Sequence, residues 1–247
     1  MTTIAQLNKA DALQLERRFQ RMLHGAPSLE AAAQRYVTTV YDALSESIVL
    51  LRLFVTVRYA DLPDENRARV LAGCKAIRVG DAVADDTLVL SLLGTVGAEP
   101  QWCDRHASAN HAVIPLVSRD FVSGIPMISR LLKQLGVELD WIARKDTAIV
   151  GKTFGFQSGV FYVADAASWV DSENRKIIGA QDFVAKYGVR TVFGVGGGYV
   201  GSPVYTAIIS FCRDPIEEEK IERFRSHIDR FKAETSDVVK MGRIFTA

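Results

Sequence analysis

The chain has 247 residues, 48% of them hydrophobic and 24% charged, with a formal net charge of +1 from 30 basic and 29 acidic side chains. These proportions suit a globular domain that buries a core without staples, and they exclude the Lys/Arg excess that nucleic-acid binding needs. The N-terminus lacks a signal-peptide pattern, and the longest apolar run, broken by Arg52, is far short of the roughly 20 residues of a membrane span.

Three scattered cysteines, Cys74, Cys103 and Cys212, suit a reducing compartment better than a disulfide framework. A cytoplasmic protein with no nucleic-acid or membrane partner is therefore expected. Residues 4–23 read as a helix from the spacing of Leu15, Phe19 and Met22, ended by Gly25 and Pro27. Ser28 is the expected N-cap of a second helix with Leu29, Ala33, Tyr36, Val37, Val40 and Leu44 on its buried side.

The period then changes to two over residues 48–59. Leu51, Leu53, Val55 and Val57 share one face of a strand, and Arg52, Phe54, Thr56 and Arg58 share the other. Arg52 and Arg58 are then about 20 Å apart and cannot grip one small anion together. A short helix is expected around 65–75, an apolar strand at 87–96, a polar loop at 97–110 and a short strand at 112–117. Ser123 precedes a helix that carries Pro126 in its first turn and stops at Gly136.

Residues 137–157 carry no clear period, apart from a short extended stretch expected at 147–150. Beyond them the pattern predicts a strand at 159–164, a polar loop at 165–179 and a short helix at 181–186 stopped by Gly188. Strands at 189–195 and 204–212 follow, joined by GGGYVGSP. A long helix from 216 to about 240 is opened by Asp214 and Pro215, with Glu217, Glu218 and Glu219 in its first turn. No repeat or linker divides the chain, so one domain over 1–247 is expected, with a helical N-terminal part to about residue 46. Helices at both ends of a mainly antiparallel sheet make the fold class α+β.

The stretches LLGTVGAEPQWCDR, HAVIPL, PMISRLLKQLGVEL, AQDFVAKYGVRTVFGVGGGYVG and VYTAIISFCRDPI carry a resemblance. In order of elements the chain is similar to GAF domains. In local text it resembles the N-terminal input segments of bacterial sensor histidine kinases. The resemblance spans roughly residues 88–216 and implies a sensory role, in which a bound small molecule or partner alters an output module. Only a few residues follow position 240, so for a whole gene product the expected output is a separate protein; a fragment of a longer chain is the other reading.

Gly196, Gly198 and Gly201 satisfy G-x-G-x-x-G, but the text after them is β-branched and aromatic. The helix that a dinucleotide fingerprint requires is missing, and a hairpin with its glycines at positive φ is expected instead. Cys103, His106 and His111 have a spacing that permits metal or heme ligation, with Asp104 as a fourth ligand, against the plainer reading of a polar surface loop. The resemblance also raises a thiol reductase, since some GAF-fold proteins reduce free methionine sulfoxide with paired cysteines. Cys103 beside Arg105 would be the nucleophile, but the usual cysteine pattern is not evident, and a non-enzyme is the expectation. The serine in 155–159 lacks the nucleophile-elbow spacing, and Asp85 and Asp86 read as loop charges. His24 and His227 read as surface residues.

The terminal helix carries Ile221, Phe224, Ile228, Phe231 and Val238 at spacings of three and four, with Thr235 filling the gap. Such a seam either pairs with a partner helix in a homodimer or packs on the chain's own first helix. The resemblance places a ligand pocket at 99–114 and 160–199, with Trp102, His111, Tyr162, Asp182, Phe183 and Tyr199 as candidate lining and Arg52 on a neighbouring strand. The alternative is that these aromatics fill the core. The sequence does not identify a cofactor.

Overall fold

Apolar runs form six strands, which a computed structural model describes together with the rest of residues 3–76, 82–108, 111–136 and 158–246. They are β1 (Ile48–Arg58), β2 (Leu88–Gly97), β3 (Val113–Pro115), β4 (Gly159–Val163), β5 (Thr191–Gly198) and β6 (Tyr205–Cys212). One sheet has the order β3-β2-β1-β6-β5-β4, and every neighbouring pair is antiparallel. The fold is therefore α+β with a central antiparallel sheet, as the order of elements implied. The stretch expected to be extended at 147–150 lies outside the described residues.

Helices cover the first face of the sheet. α1 (Lys9–Leu23), α2 (Leu29–Leu44), α3 (Asp64–Ala76) and, at the other end of the chain, α7 (Glu218–Glu222) and α8 (Arg225–Lys240) lie over it. Leu51, Leu53, Val55 and Val57 pack there with Phe19, Tyr36, Val37, Ile228 and Phe231. The second face carries Leu50, Phe54, Leu90, Leu92, Tyr205, Ala207 and Ile209. It is closed by α4 (Arg119–Ser123), α5 (Pro126–Gln134) and α6 (Gln181–Tyr187) through Val122, Ile128, Leu131 and Val184. Both faces are covered, so β2, β5 and β6 are buried along their whole length and lose the half-polar alternation of a one-sided sheet.

Side chains bond free backbone on β2, where it runs on past β3, and on the edge strand β4. Beyond β3, Gln34 of α2 donates to Thr95 O at 3.0 Å and accepts from Thr95 N at 3.1 Å. On β4, Tyr162 N donates to Gln134 Oε1 at 3.1 Å and Tyr162 O accepts from Arg130 Nε at 3.3 Å. These amides occupy places where a further strand would pair.

Three helix boundaries differ from the sequence reading. The expected helix at 4–23 is interrupted, because Asn8 caps α1 by accepting from Ala10 N and Asp11 N at 2.8 and 3.0 Å. The helix expected after Ser123 is α5, opened by Pro126, but a further short helix that the sequence reading did not include, α4 capped by Ser118, precedes it. The terminal helix starts later than Ile216, whose N–H donates to Thr191 Oγ1 at 3.0 Å while its carbonyl accepts from Tyr162 Oη at 2.8 Å. With both backbone groups spent on the sheet, Ile216 stays outside the helix. The helix also breaks between α7 and α8.

The triple glycine lies inside β5, contrary to its expected place in the turn. Of the glycines in 196–201 only Gly201 has a positive φ, at 72°. Gly196 and Gly197 are where neighbours come close: an added Cβ would lie 2.8 Å from Leu135 Cδ1 and 2.6 Å from Lys232 Nζ respectively.

Candidate functional site

Arg52 sits mid-strand in β1, opposite Thr95 of β2 and Ile209 of β6, on the second face among apolar neighbours. Its Nη2 donates to Ser108 Oγ at 3.2 Å. Burial lowers the pKa of the guanidinium, as expected when a cation is drawn from water into an apolar surround. His111 lies close by with φ of 59°, a left-handed conformation that a non-glycine residue seldom adopts. It remains exposed. Crowding on its inner side, and then the charge of Arg52, lower its pKa and favour the neutral imidazole. Arg52, Ser108 and His111 thus form one polar group on an apolar sheet face.

Trp102 and Phe183, two further sequence candidates, meet on the same face. Trp102 caps Gly97, where an added Cβ would lie 2.7 Å from the indole. Its ring lies edge-on to Phe183 at 5.6 Å and to Tyr187 at 4.9 Å, and Phe183 in turn meets Phe211 at 5.5 Å. Tyr187 Oη donates to Glu99 Oε1 at 2.6 Å, which ties α6 to the start of the loop. These rings fill space against each other. Asp182, in the first turn of α6, faces outward and is exposed.

Two candidates lie with the opposite layer. Tyr199 is buried, and its hydroxyl meets Thr235 Oγ1 of α8 at 2.7 Å. Burial pushes its pKa up to about 12, so the phenol stays neutral. Tyr162 packs with the first-face core through its ring and is tied to Ile216. Neither shares a surface with Arg52. The two tyrosines anchor the connection to the terminal helices.

Cys103, His106 and His111 do not converge. His106 Nδ1 faces Glu65 Oε2 at 3.2 Å, His111 lies towards Arg52, and Cys103 Sγ is 3.7 Å from Gly97 O and Glu99 O. Among the described residues no group of three His, Cys, Asp or Glu side chains has metal-binding geometry. Cys103 is exposed, whereas Cys74 and Cys212 are buried and burial pushes both thiols up.

His227, read from the sequence as a surface residue, is buried between Phe19 and Phe224 at ring distances of 5.1 and 5.0 Å. The seam residues Ile221, Phe224, Ile228, Phe231 and Val238 are likewise buried in the chain's own first-face core.

The residues that sequence reasoning missed are Ser108, Arg69 and Glu30, and it read Arg105 only as a neighbour of Cys103. A cavity of about 250 Å³ beside α2 is lined by Glu30, Gln34, Leu93, Cys103, Arg105 and His106. Its walls come from positions some 75 residues apart, joined by the Arg105–Glu30 contact, so no local spacing could have marked them. Among the described residues no helix is long and apolar enough to cross a membrane.

No protein-family profile and no curated protein matches the chain in sequence. Solved structures do match it. One is the GAF domain of an Acinetobacter phosphoenolpyruvate-protein phosphotransferase, with a TM-score of 0.46 and 12% identity over 96% of this chain and 100% of that one. The GAF domain of the Coxiella burnetii phosphotransferase gives 0.47 and 13% over 96% and 99%. A phycoerythrobilin-bound GAF domain from a cyanobacterial phytochrome gives 0.47 and 11% over 95% and 98%. At such identities and scores the likeness carries no function to this chain, and the α+β class rests on its own strand order and covering helices.

Proposed function

We propose that this chain is a GAF-like sensory domain, of the kind that serves as input to bacterial signalling proteins. It binds a small molecule bearing an anionic or carbonyl group on the second sheet face, and it passes the signal on without catalytic turnover. The observation that carries this reading is Arg52: a guanidinium in the middle of an apolar sheet face, with Ser108 at 3.2 Å and a left-handed His111 beside it. A cation partly withdrawn from water attracts a complementary group more strongly than a surface cation does. The neutral imidazole adds a hydrogen-bonding group without adding charge.

The sequence resemblance supports the sensory class. Against a thiol reductase stand the two buried thiols, Cys74 and Cys212, since a resolving thiol has to be accessible to Cys103. A homodimer would need a surface other than the terminal seam, whose apolar side is occupied within the chain.

The test is a native mass spectrum of the purified chain set against its denatured mass, repeated on Arg52→Met and Cys103→Ser. A non-covalent mass that Arg52→Met loses and Cys103→Ser keeps is the expected result. A cargo retained by Arg52→Met would remove Arg52 from the site. A cargo lost by Cys103→Ser would move the function to the thiol.

A further inference from the structure

The contacts of Arg52 continue beyond the sheet. Arg69 of α3 holds the backbone of the same loop, donating from Nη1 to Ser108 O at 2.9 Å and from Nη2 to His106 O at 3.0 Å. Glu65, one turn earlier, accepts from Arg69 Nη2 at 2.7 Å and faces His106 at 3.2 Å. Arg105 turns inward and forks onto Glu30 of α2, Nε to Oε1 at 2.6 Å and Nη2 to Oε2 at 3.0 Å. Both side chains are sheltered, at 10% and 13% exposure.

The same carboxylate accepts Thr246 N at 3.0 Å. The tail also closes the first turn of α2: Leu29 N and Glu30 N donate to Arg243 O and Ile244 O, each at 2.9 Å. Ser28 Oγ meets Thr246 Oγ1 at 2.9 Å, and the Arg105 guanidinium lies 5.7 Å from the Phe245 ring centre.

We infer that the loop segment 103–108 is a lever joining the Arg52 site to the C-terminal tail, so that drawing Arg52 away from Ser108 loosens the tail from α2. Sharing is the physical reason. Glu30 serves the loop through Arg105 and the tail through Thr246, and a sheltered carboxylate that loses its forked cation is strongly disfavoured. The loop in turn is fixed in place by Ser108 and His106, the atoms that Arg52 and Arg69 hold. The lever deepens the ligand-binding reading and takes its input from it, but the coupling itself requires no ligand.

Hydrogen exchange on the intact chain tests it, read at the amides of Leu29, Glu30 and Thr246 in wild type, Arg52→Met, Arg69→Gln, Arg105→Gln and the double variant Arg69→Gln/Arg105→Gln. Arg225→Gln, whose partners are Ser158 O and Glu222 and not the 103–108 loop, is the control. The expected result is exchange at Thr246 faster by roughly tenfold in Arg69→Gln, the loss expected of a charged hydrogen bond, although the bonds of Arg69 go to Glu65, His106 and Ser108 and to no described tail residue. Arg52→Met shifts it the same way, β1 amides stay unchanged, and the double variant falls short of the product of the singles. Should Arg105→Gln not fold, Arg105→Lys keeps the charge and loses the fork. Wild-type exchange at Thr246 in both Arg52→Met and Arg69→Gln, or multiplicative effects in the double variant, would overturn the lever. A cargo that survives Arg52→Met overturns the ligand reading and leaves the exchange result standing, so the two failures are distinct.

Discussion

At the scale of single residues, this protein is decided by where atoms come too close or stand in unusual company. Gly94 is the sharpest case. An added Cβ would lie 2.8 Å from both the carbonyl carbon and the oxygen of Ala33, so the α2 backbone rests directly on β2. Neither partner is the end of a flexible side chain, and Gly94→Ala is expected to cost about 2 kcal/mol or more by forcing the helix off the sheet. Urea denaturation checks it, and an unchanged midpoint would mean that α2 does not dock there. Arg52 is the electrostatic counterpart. Burial lowers its pKa, and a charge on an otherwise apolar face is where binding is best sought.

At the scale of elements, the terminal helix shows how one pattern serves two readings. Its apolar residues recur at the spacing of a pairing seam, yet Phe231 is fully buried with its ring 5.4 Å from Tyr36 of α2. Phe231→Ala is expected to destabilise the chain by about 3–5 kcal/mol in chemical denaturation, because the site is enclosed by sheet and helices and collapses poorly. A loss well under 1 kcal/mol would show that the helix does not depend on this contact. The later start of that helix, with both polar backbone groups of Ile216 held by Thr191 and Tyr162, shows tertiary bonds overriding a sequence signal for helix initiation.

At the scale of the whole molecule, two layers do different work. The second face carries the polar group at Arg52, and the first carries the packing that joins both ends of the chain. His227 reports on that packing. It lies between Phe19 of α1 and Phe224, and burial lowers its pKa to about 4, against an opposing effect of Glu16. With the folded value depressed below an unfolded value of about 6.5, the unfolded chain binds the extra proton in between. Stability is therefore full above about pH 6.5 and falls as pH drops towards 4, by on the order of 3 kcal/mol for this group. Melting curves across that range should show the loss, and His227→Leu should flatten it. An equal slope in the variant would assign the acid sensitivity to other groups.

The sequence by itself determined the strands, the covering helices and the antiparallel layout, because side-chain periodicity and turn residues act locally. It also singled out Arg52, since a charge in a run of apolar alternation is visible without neighbours. That Arg52 lies with His111, and Trp102 with Phe183, was implied only by the family resemblance, and Ser108 was not marked at all. The separation of Tyr162 and Tyr199 from that group was not legible at all. Alternation assigns residues to opposite faces of one strand but does not say which face of a neighbouring strand lies beside them. Register, edge bonding and the Glu30 clasp join residues tens to hundreds of positions apart. Those contacts exist only once the layers have packed, and for that reason the tertiary structure alone decided them.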